Sequence, residues 1–198
     1  MGDVRDLIKK DIVDLQNSEF ISKWIIDAIP FVCDQDYSLY LQWRHDVAKQ
    51  IGIDPNDIFI TGSACIGFSL SPHKMLSNFN SKSDIDVCIV SENYFNIAWY
   101  ELRSIKPYSE YMSLEKFRKA IDEHRTKYIY WGTIATDKIL GMFSFGSKWS
   151  KLSEASHRFE CFENRDINVR IYKDNKSFRD YTGLSVSDCR KRFLEVQK

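Results

Sequence analysis

No apolar run in this 198-residue chain approaches the ~18–20 residues that a membrane-spanning helix needs. No secretory leader is expected, because Met1–Arg5 alternates charge within a helical pattern instead of running basic then apolar. An N-myristoylation signal wants Ser or Thr at position 6, and Asp6 stands there. The expectation is a cytoplasmic protein with no membrane partner. Glycine (8) and proline (4) are too scarce for a collagen-like or low-complexity chain. Five cysteines, Cys33, Cys65, Cys88, Cys161 and Cys189, never fall at CxxC spacing, which argues against a zinc module and a disulfide scaffold. Several sit in apolar runs and read as small buried hydrophobes. The histidines His45, His73, His124 and His157 form no HExxH or Cys/His ligand set, so no zinc is expected. GxxxxGK[ST] and GxSxG are absent too. With 28 basic and 28 acidic residues the formal net charge is zero, which removes any broad attraction to duplex nucleic acid but leaves room for a local patch.

What is present points to a folded domain. The chain is 43% hydrophobic and 14% aromatic, and a chain this long buries roughly 70% of its unfolded surface. Helical spacing of apolar residues predicts helices over 4–15, over 20–29 with Ser18 as N-cap, and over 40–51 closed by Gly52. Asp54-Pro55-Asn56-Asp57 is a turn. Ile58–Thr61 and Asp84–Val90 read as strands, and Ile167–Tyr172 alternates as a third. Helices are expected at 92–105, at 113–128 and from Ser177 to the end, with 131–163 mostly loop and one short helix. No repeat or long linker divides the chain, so a single domain is expected, with 1–34 as a helical extension on a core of 35–196.

Two acids carry the first chemical signal. Asp84 and Asp86 are one pleat apart, so their carboxylates share a face while Ile85, Val87 and Ile89 point the other way. Two carboxylates held close repel unless a cation neutralises them. Hard oxygen ligands suit Mg²⁺, which takes one or two carboxylates and completes its shell with water and phosphate oxygens. Alone, such a pair need be no more than a solvated strand end. Here it follows a strand that runs into Gly62-Ser63, where a side-chain-free residue and a hydroxyl offer a phosphate a close approach.

The pair of segments ITGSACIGFSL and SKSDIDVCIVS resembles the signature of the DNA polymerase β-like nucleotidyltransferase superfamily, in particular its small bacterial stand-alone domains. The matching motifs cover residues 58–90. The resemblance implies an α/β (α+β) fold, a small mixed sheet flanked by helices with an N-terminal helical cap. It implies that Gly62 and Ser63, with Ser83 and Lys82 nearby, hold the phosphates of a nucleoside triphosphate. Asp84 and Asp86 would bind Mg²⁺, or Mn²⁺ in its place. The implied reaction is in-line attack of an acceptor hydroxyl on the α-phosphorus with release of pyrophosphate. The acceptor is open: an RNA end, a protein, a nucleotide or a small molecule.

Two features depart from that pattern. The segment from Gly62 to Asp84 is long and contains His73, Lys74 and Lys82, cations that either reach the triphosphate or stay solvated. The family's third carboxylate is expected on the strand Asp166–Arg170, where Asn168 stands in its place and Asp166 lies nearer the strand start. Arg170 shares that face, either as a phosphate clamp or as an ion-pair partner of the acids. The stretch His124–Gly132 interleaves Arg125 and Lys127 with aromatics, a composition for stacking a base or for core. If the third acid is missing altogether, the alternative is a nucleotide-binding sensor or regulatory subunit, by analogy one of a toxin-antitoxin or phage-defence system. A plain interaction domain with a protein partner, or a homo-oligomer, is the third reading.

Overall fold

The computed structural model describes residues 4–71, 74, 76–106 and 108–196. His73 and Met1–Asp3, on which parts of the sequence reading rest, lie outside the described residues. The chain is a mixed α+β structure around one four-stranded sheet.

The strands are β1 (Ile58–Thr61), β2 (Ile85–Val90), β3 (Thr133–Ala135) and β4 (Ile167–Tyr172), in spatial order β1-β2-β4-β3. β1 runs antiparallel to β2, β2 parallel to β4, and β3 antiparallel to β4. The helices are α1 (Val4–Asp14), α2 (Asn17–Ile21), α3 (Tyr37–Ile51), α4 (Gly62–Ile66), α5 (Glu92–Ser104), α6 (Glu110–Ser113), α7 (Glu115–Glu123), α8 (Gly146–Trp149), α9 (Lys151–Ser156) and α10 (Asn175–Val196). Short π-helical turns continue α2 over Ser22–Ile26 and α7 over His124–Tyr128.

Local chemistry explains most boundaries. α3 starts where Asp36 accepts a hydrogen bond from Leu39 N–H and stops at Gly52, whose φ of +78° closes it left-handed. α5 begins at Ser91, which caps Tyr94 N–H. α2 opens on Gln16 with Glu19 in a reciprocal capping box, in place of the expected Ser18 cap. The expected loop over 131–163 contains β3, a three-residue strand too short to show any alternation.

Buried side chains from Ile8 to Cys189 form one contiguous cluster. The first 34 residues are part of it, through Ile8, Ile12, Phe20, Ile21 and Ile25. Arg190 of α10 donates to the carbonyls of Ile12 and Leu15, and Arg179 to that of Ser18, so the N-terminal helices are latched to α10. Four cysteines are buried, Cys161 is half-buried, and all five are free thiols, as their apolar settings suggested.

α10 decides which part of the sheet stays open. Phe178 stacks on Phe59 of β1 at 5.8 Å and meets Tyr172 of β4 edge-on at 5.2 Å. One end of this sheet face is thereby covered. The other end, where Thr61, Asp86 and Asn168 stand, opens beyond the covering rings. Among the described residues no helix is long and apolar enough to cross a membrane.

Candidate active site

Register brings the predicted residues together. Thr61 pairs with Asp86 across β1 and β2, and Asp86 pairs with Asn168 across β2 and β4. Directly paired residues project to the same face, so these three form a row across the sheet. Asp84 stands at the entry to β2, and the Asn168 amide Nδ2 lies 3.4 Å from its Oδ2. Gly62 follows Thr61 at φ +64°, and a Cβ there would stand 2.5 Å from Asp86 Oδ2. The chain turns so tightly against the carboxylate that only glycine fits.

Two adjoining cavities meet at this row, and Ser63, Ser69, Lys74 and Asp86 line both. The larger, about 480 Å³, also takes in Gly62, Asn168 and Arg170, with Thr182 and Ser185 from α10. The smaller, about 320 Å³, is bounded by Asp84, Ser83, Lys82 and Asn80. The long segment before β2 is the wall of this smaller space. Arg165 pins it by donating to the carbonyls of Asn80 and Ser83, and its guanidinium lies over Phe79 at 4.5 Å. The Ser83 hydroxyl accepts from Asn80 N–H, so it shapes the turn as well as lining the cavity.

Asp86 is exposed on the cleft wall, with enough protein packed around it to weaken its hydration. Burial pushes its carboxyl pKa above the usual range. The positive charge of Arg170 opposes that shift, the negative charge of Asp84 adds to it, and Lys74 and a hydrogen bond from Asn168 oppose it further. Two carboxylates side by side repel each other, and a cation between them would relieve that repulsion. The oxygens fit Mg²⁺, which needs no more than two protein carboxylates when phosphate and water complete its shell. Among the described residues no cluster of three or more His, Cys, Asp or Glu is placed to hold an ion.

The remaining candidates separate. Asp166 is exposed, lines neither cavity, and contributes its backbone carbonyl to Ile85 N–H. Asn168, not Asp166, therefore stands in the row with Asp86. Arg125 is turned away from the cleft and donates to the carbonyls of Leu102 and Ile105, closing the C-terminal end of α5. In this fold it clamps a helix end and lines neither of the two cavities. Arg170 makes no ion pair within 4.0 Å with either acid. Its guanidinium lies instead between the rings of Tyr128, at 5.2 Å, and Tyr181, at 4.9 Å. His124 is core: Nδ1 bonds the Ala120 carbonyl at 2.6 Å, Nε2 accepts from Ala135 N–H at 3.0 Å, and burial lowers its pKa. Tyr130 is exposed and belongs to neither cavity wall.

Sequence reasoning missed Asp137, which lines the larger cavity two residues beyond the end of β3. Ala135 pairs with Arg170 in antiparallel register, so Asp137 follows on the side towards Asn168. No linear signal marks it, because the strand that places it has only three residues. The walls from α10 were missed for the same kind of reason: Tyr181, Thr182 and Ser185 reach the cleft only because of how a distant helix packs. α4 has five residues, too few to focus a helix dipole on an anion. Comparison with family models, with curated proteins and with solved structures finds no match to this chain.

Proposed function

We propose that the protein is a Mg²⁺-dependent nucleotidyltransferase that moves a nucleoside monophosphate from a nucleoside triphosphate to an acceptor hydroxyl. The observation that carries this reading is the packing of Gly62 against Asp86 at the junction of two cavities, beside Ser63 and Lys74. It agrees with the resemblance of the Gly-Ser and Ser-Asp-Ile-Asp-Val segments to the polymerase β-like superfamily.

The residues divide the work. Asp84 and Asp86 supply the oxygen ligands for Mg²⁺ or Mn²⁺, which when bound neutralises charge on the reacting phosphate and the departing pyrophosphate. The Ser63 hydroxyl, Lys74 and Lys82 bind phosphate oxygens from the smaller cavity's side. Asn168 orients Asp84 through its amide. The acceptor oxygen forms a bond to the α-phosphorus, the α–β bridging bond breaks, and pyrophosphate leaves with its electron pair. The acceptor's proton passes to solvent or to a carboxylate of the cleft. Rate enhancement then comes from positioning and charge neutralisation.

One observation favours a second reading. Asn168 is an uncharged ligand where a third acid would help deprotonate the acceptor, which suits a protein that binds a nucleotide as a signal. Incubation with Mg²⁺ and labelled nucleoside triphosphates, comparing wild type with Asp84→Ala/Asp86→Ala, separates the two. Mg²⁺-dependent pyrophosphate release, lost in the double variant, is the expected result. Tight binding with no release selects the sensor, and absence of binding overturns both.

A further inference from the structure

Arg170 lines the larger cavity with a cation that, among the described residues, no carboxylate contacts directly. Its guanidinium is held between Tyr128 and Tyr181, and Nη1 is buried with no hydrogen-bond partner. Among the described residues no carboxylate lies within 4.0 Å of it. An arginine cannot shed its proton at ordinary pH, and a buried N–H donor without a partner costs the desolvation of that donor. A half-buried guanidinium on a cavity wall suits an anionic group in that cavity.

Its place in the sheet says which anion. Arg170 is two residues beyond Asn168 on β4, roughly 6–7 Å along the strand from the acid row. It lines the larger cavity only, whereas Lys82, Ser83 and Asp84 line the smaller one only. Resting on the reading above, a triphosphate on Lys74 and Lys82 extends away from Arg170. Leaving group and nucleophile occupy opposite sides of the phosphorus in an in-line displacement. The Arg170 side is therefore the acceptor's side. A cavity of about 480 Å³ falls within the range of ~300–1,000 Å³ for small-molecule sites. The Thr182 and Ser185 hydroxyls and Asp137 give it polar anchors.

We infer that Arg170 anchors the acceptor, and that the acceptor is a small hydroxyl compound bearing a phosphate or carboxylate group.

The test uses the full chain and thermal melts. Inorganic phosphate and, separately, acetate are titrated in the presence and absence of a saturating non-hydrolysable nucleoside triphosphate with Mg²⁺. At least one anion should still stabilise the analogue-loaded protein. Arg170→Gln should weaken that anion's apparent affinity about tenfold or more, the scale of one charge-assisted contact. Lys82→Ala should leave the anion's effect in place and weaken the analogue. Competition between anion and analogue, an anion effect that survives Arg170→Gln, or no stabilisation of wild type by either anion would each overturn the inference. The competition arm needs only wild type, so a poorly folding variant does not block the decision. If the analogue fails to bind while Arg170-dependent anion protection persists, the triphosphate reading falls and the anion site stands. Phosphate acting alone selects a phosphorylated acceptor, and acetate acting alone a carboxylate.

Discussion

Gly62 and Asp86 are in such close apposition that a Cβ on the glycine would meet the Asp86 carboxylate at 2.5 Å, with the backbone at φ +64°. Gly62→Ala therefore carries two penalties. The left-handed backbone costs ~1–2 kcal/mol for a residue with a Cβ. The methyl group also drives Asp86 off its position. We expect a melting temperature lower by several degrees, at about 2–4 °C per kcal/mol for a chain this size. Loss of Mg²⁺-nucleotide affinity should exceed what the lost stability explains. Urea denaturation with calorimetric titration measures both, and unchanged nucleotide affinity would remove Gly62 from the site.

The raised carboxyl pKa of Asp86 predicts a fold sensitive to pH and, on the proposed reading, to divalent ions. Its carboxyl pKa is raised chiefly by burial, against the pull of Arg170. The folded protein thus takes up this proton more readily than the unfolded chain. The group's contribution to stability is largest below the unfolded carboxylate pKa and declines as pH rises through the raised folded value. At neutral pH without a divalent ion the ionised acid is a liability, reduced by the water of the cleft. Asp86→Asn should melt higher than wild type in EDTA at pH 7. Wild type should recover the difference on adding Mg²⁺ and the variant should not, and the Mg²⁺ response should fade as the solution is acidified. Equal responses of the two proteins to Mg²⁺ would show that the ion binds elsewhere.

Asn168 stands opposite Asp86 and beside Asp84, where a third acid would complete the ligand set. Asn168→Asp should lower the melting temperature in EDTA, because three carboxylates then crowd one row. With Mg²⁺ the loss should reverse, and pyrophosphate release should rise about tenfold, equivalent to ~1.4 kcal/mol off the barrier. Tighter nucleotide binding with no rise in release would point to the sensor.

Arg125→Ala provides a contrast. The side chain closes the end of α5 by bonding Leu102 and Ile105 carbonyls at 2.9 and 3.0 Å. Losing it should cost ~1–2 kcal/mol and leave Mg²⁺-nucleotide affinity within about twofold. Thermal melts and the same titration report the two quantities independently. A large affinity loss at normal stability would return Arg125 to the site.

The long strands, most helices and the acid pair were legible from spacing, because burial on one face imposes a period that survives in one dimension. Gly62-Ser63 and Asp84-Ile85-Asp86 were legible as chemistry, because tight turns and same-face carboxylates need particular residues at particular offsets. β3 was not, since three residues carry no period. Arg125, a cation among aromatics, and Arg170, a cation on the acidic strand face, were both candidate phosphate ligands in the sequence. Only packing sends one to the end of a helix and the other into the cleft between Tyr128 and Tyr181.

The order of residues along the chain alone determined that Asp84 and Asp86 share a face, that a glycine precedes Ser63, and that apolar stretches are the right length for a layered α+β domain. These follow from backbone periodicity and the sterics of single residues. Strand pairing decided everything else: that Thr61, Asp86 and Asn168 form one row, that Asp137 joins their cavity and Asp166 does not, and that α10 leaves this end of the sheet open. Some such contacts join residues more than a hundred positions apart, Phe59 and Phe178 among them, and no local propensity encodes them. They arise only when the buried faces of β1, β2, β4 and α10 are satisfied together.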